Sequence, residues 1–227
     1  MTAFDPALST TALDPSVPRA GTRHAPLYQF AALNLPALAL LAMAWHRGWL
    51  DTIISADPTR LTVVIIAVFV GGMVLACHRL WRLDQEIECA HSYNPNPDSW
   101  ARRYRAEVRH RSSGSRNLAA STLRIRVTDY IAVIRHIAAS LVLLGLIGTV
   151  VGFIVALSGV DPAKAADVSS MTPMVATLIQ GMSVALYTTL AGAVANLWLT
   201  VNYRLVASTA VRLLADLVAI GEADARP

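Results

Sequence analysis

The fold of this chain is decided by two charge-free stretches, IAASLVLLGLIGTVVGFIVAL at residues 137–157 and VATLIQGMSVALYTTLAGAVANLWLTV at residues 175–201. A transmembrane helix needs about 20 consecutive, mostly apolar residues, and both stretches meet that length. Two more stretches without Asp, Glu, Lys or Arg precede them, at residues 27–45 and 61–78. Pro36 interrupts the first of these, but neighbouring helices can tolerate such a proline in a membrane. The sequence therefore predicts an all-α, polytopic membrane protein with four transmembrane helices.

The composition of the whole chain supports a membrane protein. Of its 227 residues, 55% are hydrophobic and only 15% are charged, and the mean hydropathy is +0.48. An average soluble domain carries about 25% charged residues, so an ordinary soluble domain is excluded, as is a disordered chain. Its two cysteines, Cys77 and Cys89, have no CxxC neighbour and no histidine at metal-binding spacing. We find no nucleophile–base pair, metal cluster or phosphate loop, so the sequence predicts no enzyme, metal or cofactor.

The distribution of arginine predicts the orientation. Residues 79–136 contain eleven Arg and six acidic residues, whereas the short connections at 46–60 and 158–174 carry few basic residues. Because basic loops stay in the cytoplasm, the long segment and both termini are expected to be cytoplasmic. The arginines of residues 102–111 could also bind RNA. Since positive-inside charge is expected at this position, we predict no nucleic-acid partner.

The same patterns divide the chain into five segments. They are a flexible cytoplasmic tail (1–26), transmembrane helices 1 and 2 (27–78), a basic helical cytoplasmic segment (79–136), the channel-like core of transmembrane helices 3 and 4 (137–201) and a cytoplasmic C-terminal helix (202–227).

Turn-forming residues subdivide the basic segment. Asn94 to Pro97 predict a break, Asp98 or Ser99 a helix cap, and Ser112 to Ser115 a turn. The helix over residues 118–135 is expected to run on into the third span. The last helix is predicted over residues 205–220, ending at Gly221.

The third and fourth spans are rich in small and polar residues. At helical spacing, Gly145, Thr149 and Gly152 share a face of the third span, and Gly148 with Gly152 forms a small-xxx-small pair. A similar stripe on the fourth span consists of Gly181, Ala185, Thr189, Gly192 and Asn196. Two interpretations remain open from these residues alone. The stripes allow either close helix packing or a polar pathway, and a threonine within a helix often bonds only its own helix.

None of the four spans contains an Asp or Glu. An ion path across a bilayer usually uses an intramembrane carboxylate. Hydroxyl and amide groups can bind a cation or hold water, but they do not titrate near neutral pH. The chain therefore either transports no ion or receives a carboxylate from a partner.

The two last spans resemble a known family. LGLIGTVVGFIVAL at residues 144–157 resembles the LGLLGTVxGxxxAF signature of the MotA/TolQ/ExbB proton-channel family, and ALYTTLAGAVANLWLTVNYRL at 185–205 resembles its ALxxTAxGLxxAIxAxxxYN segment. The two motifs come in the family's order and cover about 60 residues. The chain departs from the pattern where Val142 and Leu143 replace a proline, where Val184 replaces a glutamate, and where Asn202 precedes Tyr203. These changes concern the subfamily and the coupling ion.

The resemblance implies a homopentameric ring in the bacterial inner membrane, embedded in the lipid bilayer. The ring would surround two single-span helices of a MotB/TolR/ExbD-like partner, which supplies an intramembrane Asp. Protons, or sodium ions in some members, would pass that Asp and drive a flagellar, Ton, Tol, defence or other machine. By this resemblance Thr149 and Thr189 are assigned to the ion pathway, and Asn196 and Ser183 are added to it as further polar side chains of the fourth span. Close helix packing is assigned to Gly145, Gly148, Gly152 and Gly192.

Two alternatives remain open at this point. The altered motif residues would also suit a non-conducting membrane scaffold of the same fold. A small four-span transporter would need an intramembrane charge or a discontinuous helix, and Pro36 marks the candidate break.

Overall fold

The computed structural model of the chain describes residues 25–48, 57, 59–91, 99–108, 113–160 and 168–224. Within these residues every regular element is an α-helix. The five helices are α1 (Ala25–His46), α2 (Leu61–His91), α3 (Trp100–Val108), α4 (Ser113–Ser158) and α5 (Val168–Asp224). The predicted tail lies outside the described residues except for its last two positions, which belong to α1, and the predicted break at residues 94–97 lies outside them too.

Four of the helices are long and apolar enough to cross a membrane, as the sequence predicts. They are α1, α2, α4 and α5, and the most apolar windows of α2 and α4 reach mean hydropathies of 2.4 and 2.6. The chain is therefore a multi-pass membrane protein. Helix α1 continues through Pro36 without a break, so the described chain contains no discontinuous span there.

Helix α1 is attached to the other helices by a buried amide network. The side-chain nitrogen of Asn34 donates to Oδ1 of Asn202 at 2.7 Å and to the carbonyl of Phe30 at 2.8 Å. The indole nitrogen of Trp198 donates to Oδ1 of Asn34 at 2.8 Å, and the amide of Asn202 donates to the Trp198 carbonyl. Because an unpaired polar group in hydrocarbon costs several kcal/mol, this pairing fixes where α1 docks on α5.

Two helices extend well beyond their spans. Helix α4 begins at Ser113 and includes the third span, so the predicted turn at residues 112–115 is wrong from Ser113 onward. Helix α5 runs without interruption to Asp224, so the predicted separate helix ending at Gly221 is also wrong. Gly221 has a packing role instead, since a Cβ atom there would come within 2.7 Å of the Tyr104 ring. A glycine that permits close approach was mistaken for a helix terminator.

The extensions of α2, α4 and α5 form a bundle with the short helix α3, which we call the basic end of the molecule. Its core contains fully buried aliphatic side chains from three helices, namely Leu80, Leu83, Ile134, Val206 and Leu213. Helix α3 begins after Ser99, whose Oγ accepts a hydrogen bond from the Arg102 amide, as expected for a helix cap. The Trp100 amide donates to the Glu86 carboxylate at 2.8 Å, and burial raises the pKa of Glu86.

The amide network yields a prediction for α1. Replacing Asn34 by leucine leaves the Trp198 indole and the Asn202 amide without their partner, so we expect a loss of about 1 kcal/mol in stability. The measurement is the thermal unfolding midpoint of the detergent-solubilised protein. Gln29→Leu is the matched control, since it removes an exposed amide from the same helix. Equal midpoints for the two variants would contradict this role of the network.

Candidate functional site

The third and fourth spans meet in an antiparallel contact in which glycines bring the two backbones together. A Cβ atom on Gly152 would lie 2.6 Å from both the Ala185 amide nitrogen and the Gly181 carbonyl oxygen. One on Gly192 would lie 2.7 Å from the Leu141 carbonyl oxygen and 3.0 Å from the Gly145 Cα. Such distances leave no room for a side chain, so α4 and α5 touch through their main chains here.

A threonine that the sequence reasoning did not single out fills the centre of this contact. Thr188 is fully buried, and a Cβ atom on Gly148 would clash with its Cβ. Its hydroxyl donates to the Val184 carbonyl at 2.8 Å. The signal was present in the spacing, because Gly181, Ala185, Thr188 and Gly192 follow one another at intervals of four, three and four residues. Residues at these intervals stay closer to one side of a helix than the residues of the predicted stripe through Thr189 do.

Thr149 and Thr189 lie at the rim of the α4–α5 contact. The Thr189 hydroxyl crosses between the helices and donates to the Gly145 carbonyl at 3.2 Å. Thr149 is half-buried, and its hydroxyl donates to the Leu146 carbonyl at 2.6 Å. Since Thr149 follows Gly145 by about one helical turn, both hydroxyls lie along the same side of α4.

The other two predicted pathway residues lie in different positions. Asn196 is seven residues from Thr189, which places it on the same face of α5 and about 10 Å further toward the basic end. Its Oδ1 accepts from the Thr200 hydroxyl at 3.5 Å. Ser183 lies about 120° around α5 from Thr189, and its hydroxyl donates to the Ile179 carbonyl. The fold therefore groups Thr149, Thr189 and Asn196, and it separates Ser183 from them.

The hydrogen bonds determine what the rim hydroxyls can offer to a ligand. A carbonyl oxygen only accepts, so the hydroxyls of Thr149 and Thr189 must donate in the bonds to Leu146 and Gly145. Their lone pairs remain available. In this arrangement the two side chains can coordinate a cation or accept a hydrogen bond from water or a protonated acid, but they cannot carry a proton by titration.

Large apolar side chains surround these hydroxyls. Leu146 and Val150 on α4 and Leu186 and Leu190 on α5 are each more than half exposed in the single chain. Such a surface suits lipid or other transmembrane helices, and polar groups within it are favoured where a further helix or water can pair with them. The rim of the α4–α5 contact is therefore a candidate site for a partner helix.

The glycine geometry predicts a graded response to alanine. Gly152→Ala places a methyl group against main-chain atoms of α5, and we expect about 1–3 kcal/mol of destabilisation. Gly145→Ala should cost less, since its nearest neighbour would lie at 3.3 Å, and Gly71→Ala, with open space around it, should be neutral. Thermal unfolding in detergent measures the series.

A double variant separates side-chain crowding from backbone crowding. Gly148→Ala meets the whole Thr188 side chain including its Cβ, so adding Thr188→Gly, which removes that Cβ, should recover part of the lost stability. No single side-chain truncation should rescue Gly152→Ala to the same extent. The packing scheme would be contradicted if Gly152→Ala unfolded at the same temperature as Gly71→Ala.

Comparison with known proteins gives one result that bears on this site. A sequence model described as the MotA/TolQ/ExbB proton channel family matches residues 104–218, just over half of the chain. Searches of curated proteins and of solved structures returned no match. The matched residues include all of α4, both core spans and most of the α5 extension, which confirms the resemblance seen in the two motifs. The chain therefore belongs to the MotA/TolQ/ExbB proton channel family.

Proposed function

We propose that this chain is the ring subunit of an ion-driven motor in a bacterial inner membrane, with both termini in the cytoplasm. It would couple the proton-motive force to mechanical work through a single-span partner. The observation that carries the proposal is the pair of hydroxyls at the rim of the α4–α5 contact. Thr149 and Thr189 offer lone pairs within an apolar surface, in a chain whose family is that of proton channels.

The proposal includes a partner because the core spans lack an acidic residue. Residues 137–201 contain Asp161 and Asp167 only in the connection between the spans, and neither core span has an acidic residue. Proton transfer at the rim therefore needs a titratable group from outside the chain, and a carboxylate on a single-span helix is the one the family implies. Protonated, it would donate to the free lone pairs of the threonines.

The ring is supported by the exposed sides of α4 and α5. Large apolar residues lie on the side of each helix that points away from the other, among them Leu143 and Ile147 on α4 and Ile179 and Leu197 on α5. Two different exposed faces allow a head-to-tail contact between copies, and such contacts form a ring when the rotation between copies closes. The faces support a ring of copies, and we take the number, five copies around two partner helices, from what the family resemblance implies.

Purification from native membranes tests the assembly. The tagged full-length chain is extracted in mild detergent, and its complex is weighed by native mass spectrometry. We expect five copies of the chain with two copies of a single-span protein that carries an Asp within its span. A complex without any membrane-spanning partner would contradict the proposal.

The two neighbouring threonines give a matched test of the pathway. Thr189→Val removes a rim hydroxyl, so we expect loss of proton flux through the purified complex in vesicles. Thr188→Val removes a hydroxyl one residue away that is buried and bonded to its own helix, so flux should be retained. The readout is the pH change inside vesicles after a membrane potential is imposed.

Further variants sharpen the assignment. Thr149→Val should abolish flux in the same way, Thr189→Ser should preserve it, and Ser183→Ala should have the smallest effect because Ser183 lies on another face. Full flux in both Thr149→Val and Thr189→Val would disprove the pathway. If the flux instead depends on sodium and is lost in the same variants, the transported ion is sodium and the assigned pathway residues stand.

A non-conducting scaffold is the second candidate. It is motivated by Val184, which stands where the family motif often has glutamate and is fully buried. A scaffold would form the same complex but carry no flux under any membrane potential. The flux assay on the unmodified complex therefore separates the two functions.

A further inference from the structure

Apolar side chains are exposed on the basic end of the molecule, far from the spans. Leu118 and Ile125 on α4 are 64% and 62% exposed, and Val211 on α5 is 65% exposed. At 1.5 Å per residue, Ile125 lies about 18 Å and Leu118 about 28 Å before the start of the third span at residue 137. Lipid tails do not reach this region, so these side chains are expected to be covered by protein.

The exposed residues form one row on each helix. We define the α4 row as Leu118, Thr122, Ile125, Asp129 and Val133, and the α5 row as Ser208, Val211, Ala215 and Ala219; every member is exposed. Within one chain the two rows cannot meet. The faces that α4 and α5 turn toward the bundle carry the buried residues instead, such as Val127 and Ile134 on α4 and Ala210 and Leu213 on α5.

The register between α4 and α5 shows that the rows lie at the same height. The contact that pairs Gly145 with Gly192 in the spans continues to the ion pair between Arg116 and Glu222 at the basic end, where the charged atoms are 3.9 Å apart. Counting from either contact, Ile125 lies level with the Val211–Arg212 turn of α5. By the same count Leu118 lies level with Ala219.

We propose that the α4 row of one subunit packs against the α5 row of the neighbouring subunit, so that the contact between copies continues about 30 Å beyond the membrane. This rests on the ring of copies in the proposed function. Rotation about an axis normal to the membrane preserves height, so rows that are level within one chain are level between copies. The occupant of each row is therefore a second copy of this chain.

The side chains of the rows complement each other. The α4 row presents the large residues Leu118 and Ile125, whereas the α5 row presents the smaller Val211, Ala215 and Ala219, between which larger side chains fit. Charge also matches, because Asp129 lies on the α4 row and Arg212 flanks the α5 row. Their heights differ by about one helical turn, which is within reach of an arginine side chain.

Engineered disulfides in the full-length chain test this interface. In a background with Cys77→Ser and Cys89→Ser, one chain receives both Ile125→Cys and Val211→Cys, and a second variant receives Leu118→Cys and Ala219→Cys. Native membranes are oxidised and examined on non-reducing gels. We expect each pair to give a ladder of covalent oligomers up to the closed ring, and each single cysteine to remain monomeric.

A pair at different heights is the control. Leu118→Cys with Arg204→Cys differs in height by about 22 Å and should give no ladder. A dimer from Ile125→Cys alone would mean that α4 packs against α4 of the neighbouring copy, which overturns the proposal. The proposal is also overturned if the two cysteine pairs at equal height give only monomers. If those pairs give only monomers although native mass spectrometry finds several copies in the complex, this interface is wrong and the proposed ring still stands. A ladder without proton flux would leave the interface standing and refute the ion-pathway function.

Discussion

The structure depends on one close contact, in which the backbones of α4 and α5 touch through glycines within the third and fourth spans. Between helices in lipid there is little hydrophobic driving force, so association relies on close packing and on interhelical hydrogen bonds. Gly152, Gly181 and Gly192 supply the first, since a Cβ atom on any of them would collide with main-chain atoms of the other helix. The Thr189–Gly145 bond supplies the second. Both would be lost if the helices moved apart by the width of a methyl group.

This contact also determines which polar groups remain available. Thr188 is enclosed by the contact, whereas Thr189, the next residue, reaches its rim and keeps its lone pairs free. At the other side of α5, the amides of Asn34 and Asn202 and the indole of Trp198 pair with one another. The polar groups of α5 therefore serve two purposes. One set holds α1 in place, and the other faces the surface where we propose that the carboxylate of a partner helix binds.

The sequence predicts most of the fold and part of the candidate site. Charge-free length predicts the four membrane helices, and the two motifs identify the family, because both signals are local. The C-terminal end of the last helix was not predictable in this way, since Gly221 permits contact with Tyr104, a residue far away in the chain. The same reason explains why Thr188 was missed. Whether a threonine lies inside the contact between two helices or at the rim of that contact depends on the register between the helices, which a single sequence pattern does not specify.

In the function that we propose, this chain supplies the hydroxyls and a partner supplies the carboxylate. Proton uptake into vesicles tests it most directly when the purified chain alone is compared with the chain and its co-purified partner at equal protein density. We predict no flux above empty vesicles for the chain alone, flux for the complex, and loss of that flux when the partner's intramembrane Asp is replaced by Asn. Proton flux through the chain alone would contradict the claim.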